Sequence, residues 1–175
     1  MPKPLLAVVT GRPGSGKSTL AVELATELRC PLVSRDRLKE GALKTLGLDK
    51  AADPDLAQRI CDLFFSEIEL QLRAGVSLVA EAAFQHRVWA PRLEPLFALA
   101  DVRIVVCQVS PELAWERMTG RARRDPLWSR YNPLPESHRG AEEPYEPPRL
   151  SVPTLTVNTT KDYLPPIEEI VAFLR

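Results

Sequence analysis

Residues 11–18 read Gly-Arg-Pro-Gly-Ser-Gly-Lys-Ser, a full match to the phosphate-binding pattern GxxxxGK[ST]. The pattern does chemistry only where a strand hands a glycine-rich turn to the start of a helix. Turn amides and the helix N-terminus then converge on phosphate oxygens. The apolar run Leu5-Leu6-Ala7-Val8-Val9 before the match supplies the strand, and Leu20, Leu24 and Leu28 after it mark one helical face. Gly11, Gly14 and Gly16 let the backbone curl close to an anion without Cβ clashes. Lys17 brings a flexible point charge to the β- and γ-phosphates, and the Ser18 hydroxyl can ligate Mg²⁺. Arg12, Pro13, Ser15 and Thr19 complete the expected cradle. The cofactors this predicts are ATP, with GTP as the alternative, and Mg²⁺.

Phosphoryl transfer further needs charge neutralised, a nucleophile oriented and water excluded. Asp36 follows the apolar run Leu32-Val33-Ser34, at the sheet edge where α/β ligands bind. A carboxylate there can take the proton of an acceptor hydroxyl; the competing reading is a helix cap. Arg35 and Arg37 flank it, and Arg37 is a substrate-binding candidate beside Asp36. Glu81 closes the run Ser77-Leu78-Val79-Ala80, placed to act through a water on Mg²⁺ or beside the substrate, or else to cap a helix or form a salt bridge. Arg117, Arg121 and Arg124 are spaced four and three apart, which stacks them within roughly a 60° arc of one helix face. Guanidinium pairs bidentately with phosphate, so the stack reads as a lid over a triphosphate, with Arg117 and Arg121 catalytic, Arg121 also on the nucleotide and Arg124 on the substrate. A solvated basic face beside Glu112 and Glu116 is the plainer alternative.

Weaker signals remain. Asn158, heading Asn158-Thr159-Thr160 after the last apolar run, is either a purine contact or a turn residue. His138, next to Arg139, is a candidate acceptor contact, whereas His86 reads as surface. Trp89 and Trp115 read as packing, and Trp128 as a loop anchor or a platform for a substrate ring. Cys30, Cys61 and Cys107 show no ligand-like spacing and read as reduced packing residues.

These residues need elements to hold them. Apolar runs and helical patterns alternate, which predicts an α/β domain with a parallel sheet. Strands are expected near 5–10, 31–34, 77–81, 102–108 and 154–157. Helices are expected after the glycine turn, from Arg35 to Leu46 with Gly47 as the stop, and from an Asp53 cap with Pro54 at the first position through Ala74. Residues 88–100, interrupted by Pro91 and Pro95, predict short or irregular pieces. Ser110-Pro111 should cap a helix through Arg124, and a last helix should span Pro166–Leu174. From Pro126 to Pro166 lie nine of the seventeen prolines, with Trp128, Tyr131 and Tyr145. That composition excludes regular structure over most of its length and predicts a functional loop, so 111–150 reads as a lid helix plus a proline-rich substrate loop within one domain, 1–175. The 23 basic and 23 acidic residues cancel, which argues against a large nucleic-acid footprint. No 18-residue apolar stretch or leader pattern is visible, so a cytoplasmic protein without membrane contact is expected.

Gly11–Thr19, Ser34-Arg35-Asp36, Val79-Ala80-Glu81 and the Arg117-xxx-Arg121 pair together resemble the small P-loop kinases. The group they are most similar to is that of the zeta toxins, chloramphenicol phosphotransferase and the kinase domain of polynucleotide kinase. The likeness runs over nearly the whole chain, though only the glycine turn is highly specific. It implies a P-loop NTPase three-layer sandwich whose five parallel strands run in the order 2-3-1-4-5, with Asp36 as catalytic base and Arg117 and Arg121 in the lid. It departs at Glu81-Ala82-Ala83, where many relatives carry aspartate, and along 125–150. The function expected is an ATP- and Mg²⁺-dependent phosphotransferase acting on a small-molecule hydroxyl. A polynucleotide 5′-kinase and a nucleotide-dependent switch without transfer are the alternatives.

Overall fold

The apolar runs become strands and the amphipathic stretches become helices, in strict alternation. The computed structural model describes residues 2–46, 55–132, 134 and 145–175. Their order is β1 (Leu5–Gly11), α1 (Lys17–Leu28), β2 (Leu32–Ser34), α2 (Arg35–Leu46), α3 (Leu56–Arg73), β3 (Leu78–Glu81), α4 (His86–Leu93), a 3₁₀ turn (Glu94–Ala98), β4 (Asp101–Gln108), α5 (Pro111–Arg124), α6 (Pro126–Tyr131), β5 (Thr154–Asn158) and α7 (Ile167–Leu174). The five strands pair in parallel in the order β2-β3-β1-β4-β5. The chain thus has the P-loop NTPase kinase fold that the resemblance implied.

Side-chain alternation along β1 explains the layering. Leu6 and Val8 face one side, where they join Phe64 and Ile68 of α3 and Trp89 of α4. Ala7 and Val9 face the other, where they join Leu20 and Leu24 of α1 and Ile170 and Leu174 of α7. Both faces of the sheet are covered, so the central strands read as continuous apolar runs. Every strand ends toward the same edge, and Val9 pairs with Glu81 while Ser34 pairs with Glu81 from the other side. That register places the glycine turn, Glu81 and the start of α2 side by side.

Strand boundaries match expectation to within a residue at either end. The first described residue of α3 is Leu56, with Asp55 at its N-cap and no side-chain capping bond; the Gly47 stop and the Asp53-Pro54 opening lie outside the described residues. Within 88–100, α4 contains Pro91, whose missing N–H removes one helical bond, and the chain tightens into the 3₁₀ turn from Glu94. Ser110 caps α5 as expected, its Oγ accepting from the Leu113 amide at 3.2 Å. The proline-rich stretch opens with a short helix the sequence reading did not anticipate, α6, capped by Asp125 with Pro126 at its start. Among the described residues no helix is long and apolar enough to cross a membrane.

One glycine of the turn is fixed by both conformation and space. Gly14 holds φ at 82°, and a Cβ there would lie 2.2 Å from the Ala114 carbonyl oxygen of α5. The glycine turn and α5 therefore meet backbone to backbone. Gly14→Ala is expected to cost about 2–4 kcal/mol from left-handed strain plus the displaced helix. Thermal unfolding should show a Tm lower by roughly 5–10 °C; an unchanged Tm would mean that α5 is not seated on the turn.

Candidate functional site

The cradle is built where β1 gives way to α1. Gly16 is left-handed (φ 81°) and serves as the N-cap of α1, so Lys17, Ser18 and Thr19 form its first turn. The first turn of α1 and the positive end of its dipole therefore face the cleft. Pro13, Gly14, Gly16, Lys17, Ser18 and Thr19 line a cleft of about 270 Å³ whose opposite wall is Asp36, Arg117, Met118, Arg121, Arg124 and Trp128. Gly11 and Ser15 are buried beneath the turn, and Arg12 is half-buried at its side.

A hydrogen-bonded support lies under the cradle. Thr159, 5% exposed, donates its hydroxyl to the Ser15 carbonyl at 2.6 Å, and its amide donates to Gln108 at the end of β4. Thr10 is fully buried; its Oγ1 accepts from the Phe84 amide at 3.0 Å and lies 2.5 Å from the Tyr145 hydroxyl. Burial pushes the Tyr145 phenol up to about 12, so it is neutral at physiological pH. Tyr145 thus ties the far end of the proline-rich segment to the strand that feeds the glycine turn. His86 adds to that tie, its amide donating to the Glu146 carbonyl and its Nδ1 accepting from the Arg149 amide at 3.1 Å. It is half-buried rather than the free surface residue the sequence suggested, because the returning chain packs over it.

Glu81 occupies the floor. It is 1% exposed, and each carboxylate oxygen has a partner. Oε1 accepts from Ser18 Oγ at 3.2 Å and faces Lys17 Nζ at 3.7 Å, while Oε2 accepts from Ser34 Oγ at 2.6 Å. A buried carboxylate is costly without such partners. The juxtaposed Ser18 hydroxyl and Glu81 carboxylate are hard oxygen donors, the chemistry that Mg²⁺ takes beside substrate phosphates. The residues present therefore fit that ion.

The α5 side of the cleft is more particular than the arginine spacing suggested. Arg117 donates through Nη2 to the carbonyls of Thr159 and Thr160, at 2.7 and 2.9 Å, which moors α5 to the turn after β5. Arg121 lies over the Trp128 ring, 4.6 Å from its centroid, so α6 folds back as a platform for α5. Asn132, just past α6, reaches α2: it accepts from Lys39 Nζ at 2.8 Å and donates to Glu40 at 3.3 Å. Helices α5 and α6 with Asn132 thus span the cleft from the turn after β5 to α2.

Not every candidate joins this site. Arg37 lines a separate groove with Val22, Arg29 and Cys30 rather than the cleft that Asp36 lines. Asn158 Oδ1 accepts from the Thr160 amide at 2.8 Å, the turn geometry that was its alternative reading. His138 lies outside the described residues. Trp89 is core, and Cys107 is a buried thiol beside the glycine turn, pushed up to about 12 by burial. Thr10 and Ser34 were missed, although a polar residue closing an apolar strand, Thr10 just before the glycine turn and Ser34 just before α2, is a readable signal.

Comparison with known proteins agrees with this geometry. Residues 6–138 match the AAA_33 family model, described as an AAA domain, and the chain belongs to that family. A "putative kinase" from Chloroflexus aurantiacus is 27% identical, with 99% of this chain and 97% of that one covered and a TM-score of 0.86. The APS kinase of Mycobacterium tuberculosis, solved with AMPPNP and APS, shares the fold at 19% identity, 99% coverage of both chains and a TM-score of 0.68. A gluconokinase from Sinorhizobium meliloti does so at 20% identity, covering 99% of this chain and 91% of that one, with a TM-score of 0.56. No curated protein is detectably similar in sequence. The chain is a P-loop kinase.

Proposed function

We propose that this kinase transfers the γ-phosphate of ATP to a hydroxyl of a small-molecule acceptor, with Asp36 as the group that takes the hydroxyl proton. The observation that carries the reading is that Asp36 shares one cleft with Lys17, Ser18, Arg121 and Arg124. Loop amides and Lys17 hold the phosphates. Ser18 and Glu81 would hold Mg²⁺, which supplies charge neutralisation on the β- and γ-oxygens when bound. The acceptor oxygen, losing its proton to Asp36, attacks the γ-phosphorus as the bond to the β-phosphate oxygen breaks and ADP departs. Arg121 and Arg124 hold the equatorial oxygens, and the lid excludes water. A cytoplasmic setting suits a nucleotide-consuming enzyme of this kind.

The test is transfer of label from γ-labelled ATP, with Mg²⁺, into a fractionated metabolite pool and into short 5′-hydroxyl oligonucleotides. Label in a small-molecule fraction is the expected result. Label on oligonucleotides alone, falling steeply with salt, would replace it with polynucleotide 5′-kinase activity. Slow release of free phosphate with no labelled acceptor would overturn transfer in favour of a nucleotide-dependent switch.

A further inference from the structure

Arg35 has a guanidinium whose hydrogen-bonding capacity the fold leaves partly unspent. It precedes Asp36 in the first turn of α2, and its side chain is only 23% exposed. Its Nε is buried without any hydrogen-bond partner. Its anionic neighbour is Asp36, with Nη1 and Oδ1 3.9 Å apart, too far for a hydrogen bond. The group lies over the ring of buried Trp89, 5.7 Å from its centroid, which fixes its plane without satisfying its donors. Its Nε is desolvated with no acceptor in reach, and the Asp36 carboxylate stands just beyond hydrogen-bond distance, an arrangement that an arriving anion would complete. A group that only filled space against Trp89 would not need a charge.

Its place in the sheet says which ligand that anion belongs to. Arg35 opens α2 directly after β2 and packs on α4, the helix that follows β3, and so stands at the β2–β3 end of the sheet edge, beside the cleft that Asp36 lines. The nucleotide's cradle and the Arg117 mooring lie toward β1 and β5. The catalytic carboxylate separates the two ends. A hydroxyl addressed by Asp36 therefore belongs to a molecule whose remainder meets Arg35.

We propose that Arg35 is the specificity-determining residue for the acceptor, and that the acceptor is a hydroxylated oxyanion, bearing a carboxylate or phosphate a few bonds from the phosphorylated hydroxyl. This rests on the reading of Asp36 as the residue facing the acceptor. Planar guanidinium matches either oxyanion bidentately. Neutral polyols would leave those donors unpaired and be rejected.

Two matched series test it: glycerol, glycerate and glycerol 3-phosphate, and glucose, gluconate and glucose 6-phosphate. Each is titrated calorimetrically into wild type, Arg35→Gln and Arg35→Lys loaded with Mg²⁺ and a non-hydrolysable ATP analogue, and each is assayed for transfer from ATP. At least one charged member should bind wild type more tightly than its neutral parent by about 10–100-fold, the range of a hydrogen bond to a charged group. Arg35→Gln should abolish that discrimination, Arg35→Lys should restore part of it, and affinity for the ATP analogue should stay within about twofold. A merely structural role would not move the charged-to-neutral ratio. Equal binding of charged and neutral members, no binding of any charged member, or discrimination that survives in Arg35→Gln would overturn the assignment. Charged binding that depends on Arg35 without any transfer would instead sink the phosphotransfer reading and leave the anion site standing.

Discussion

Asp36→Ala is expected to lower kcat by more than about 10²-fold while affinity for ATP stays within about twofold. The separation of effects follows from where Asp36 stands: it lines the cleft wall opposite the cradle and bonds to none of the turn residues that grip phosphate. Local geometry argues against the capping alternative. Helix α2 begins at Arg35 directly after β2, so Asp36 sits inside the first turn. The Ser34 hydroxyl, which stands where a cap would, is committed to Glu81. What Asp36 contributes to α2 is a carboxylate near the helix's positive end, worth about 0.3–1 kcal/mol, so the variant should melt only slightly lower. Steady-state kinetics with an acceptor found by label transfer, beside titration with a non-hydrolysable ATP analogue, check both halves. Turnover within a few-fold of wild type would remove Asp36 from proton transfer. Loss of nucleotide affinity would place it on the phosphates instead.

How much of this was legible in the sequence depends on the range of the interaction concerned. The glycine turn reads locally: each residue's type answers a backbone or phosphate requirement within eight positions. Strand positions read just as well, because a doubly covered parallel sheet forces uninterrupted apolar runs such as Leu78-Val79-Ala80. The proline density after Pro126 signalled departure from regular structure, yet it concealed α6, since proline at a first helical position favours a helix rather than breaking it. Arg37 and Asp36 differ by one residue and by roughly 100° of helical turn, and that turn takes Arg37 out of the cleft. The arginine face was readable from spacing, but not the division of labour between Arg117, spent on carbonyls after β5, and Arg121, laid on Trp128. Those partners are 42 and 7 residues away, the first beyond any local pattern and the second across the break between α5 and α6 at Asp125. Ser34 and Glu81 are 47 residues apart and meet only because β2 and β3 pair in register.

That last junction yields the second large effect. Glu81 links three elements at once: Lys17 and Ser18 at the start of α1, Ser34 at the end of β2, and its own strand β3. Glu81→Ala leaves the Lys17 ammonium, 6% exposed, without its carboxylate and frees two hydroxyls, which should cost about 3–5 kcal/mol of stability. Glu81→Gln separates charge from shape. An amide fills the same space, accepts from one serine and carries no charge for a cation. If Glu81 orients the ion's coordination sphere beside Ser18, the glutamine variant should fold, bind nucleotide without metal much as wild type does, and need about 10–100-fold more Mg²⁺ for half-maximal turnover. Urea unfolding of both variants, with Mg²⁺ titrations of activity and of nucleotide binding, separates the roles. An unshifted Mg²⁺ requirement in Glu81→Gln would make Glu81 a structural tie between the glycine turn and the β2–β3 edge. A shifted requirement with intact stability would make the negative charge, rather than the hydrogen bonds it accepts, the reason for glutamate at the end of this strand.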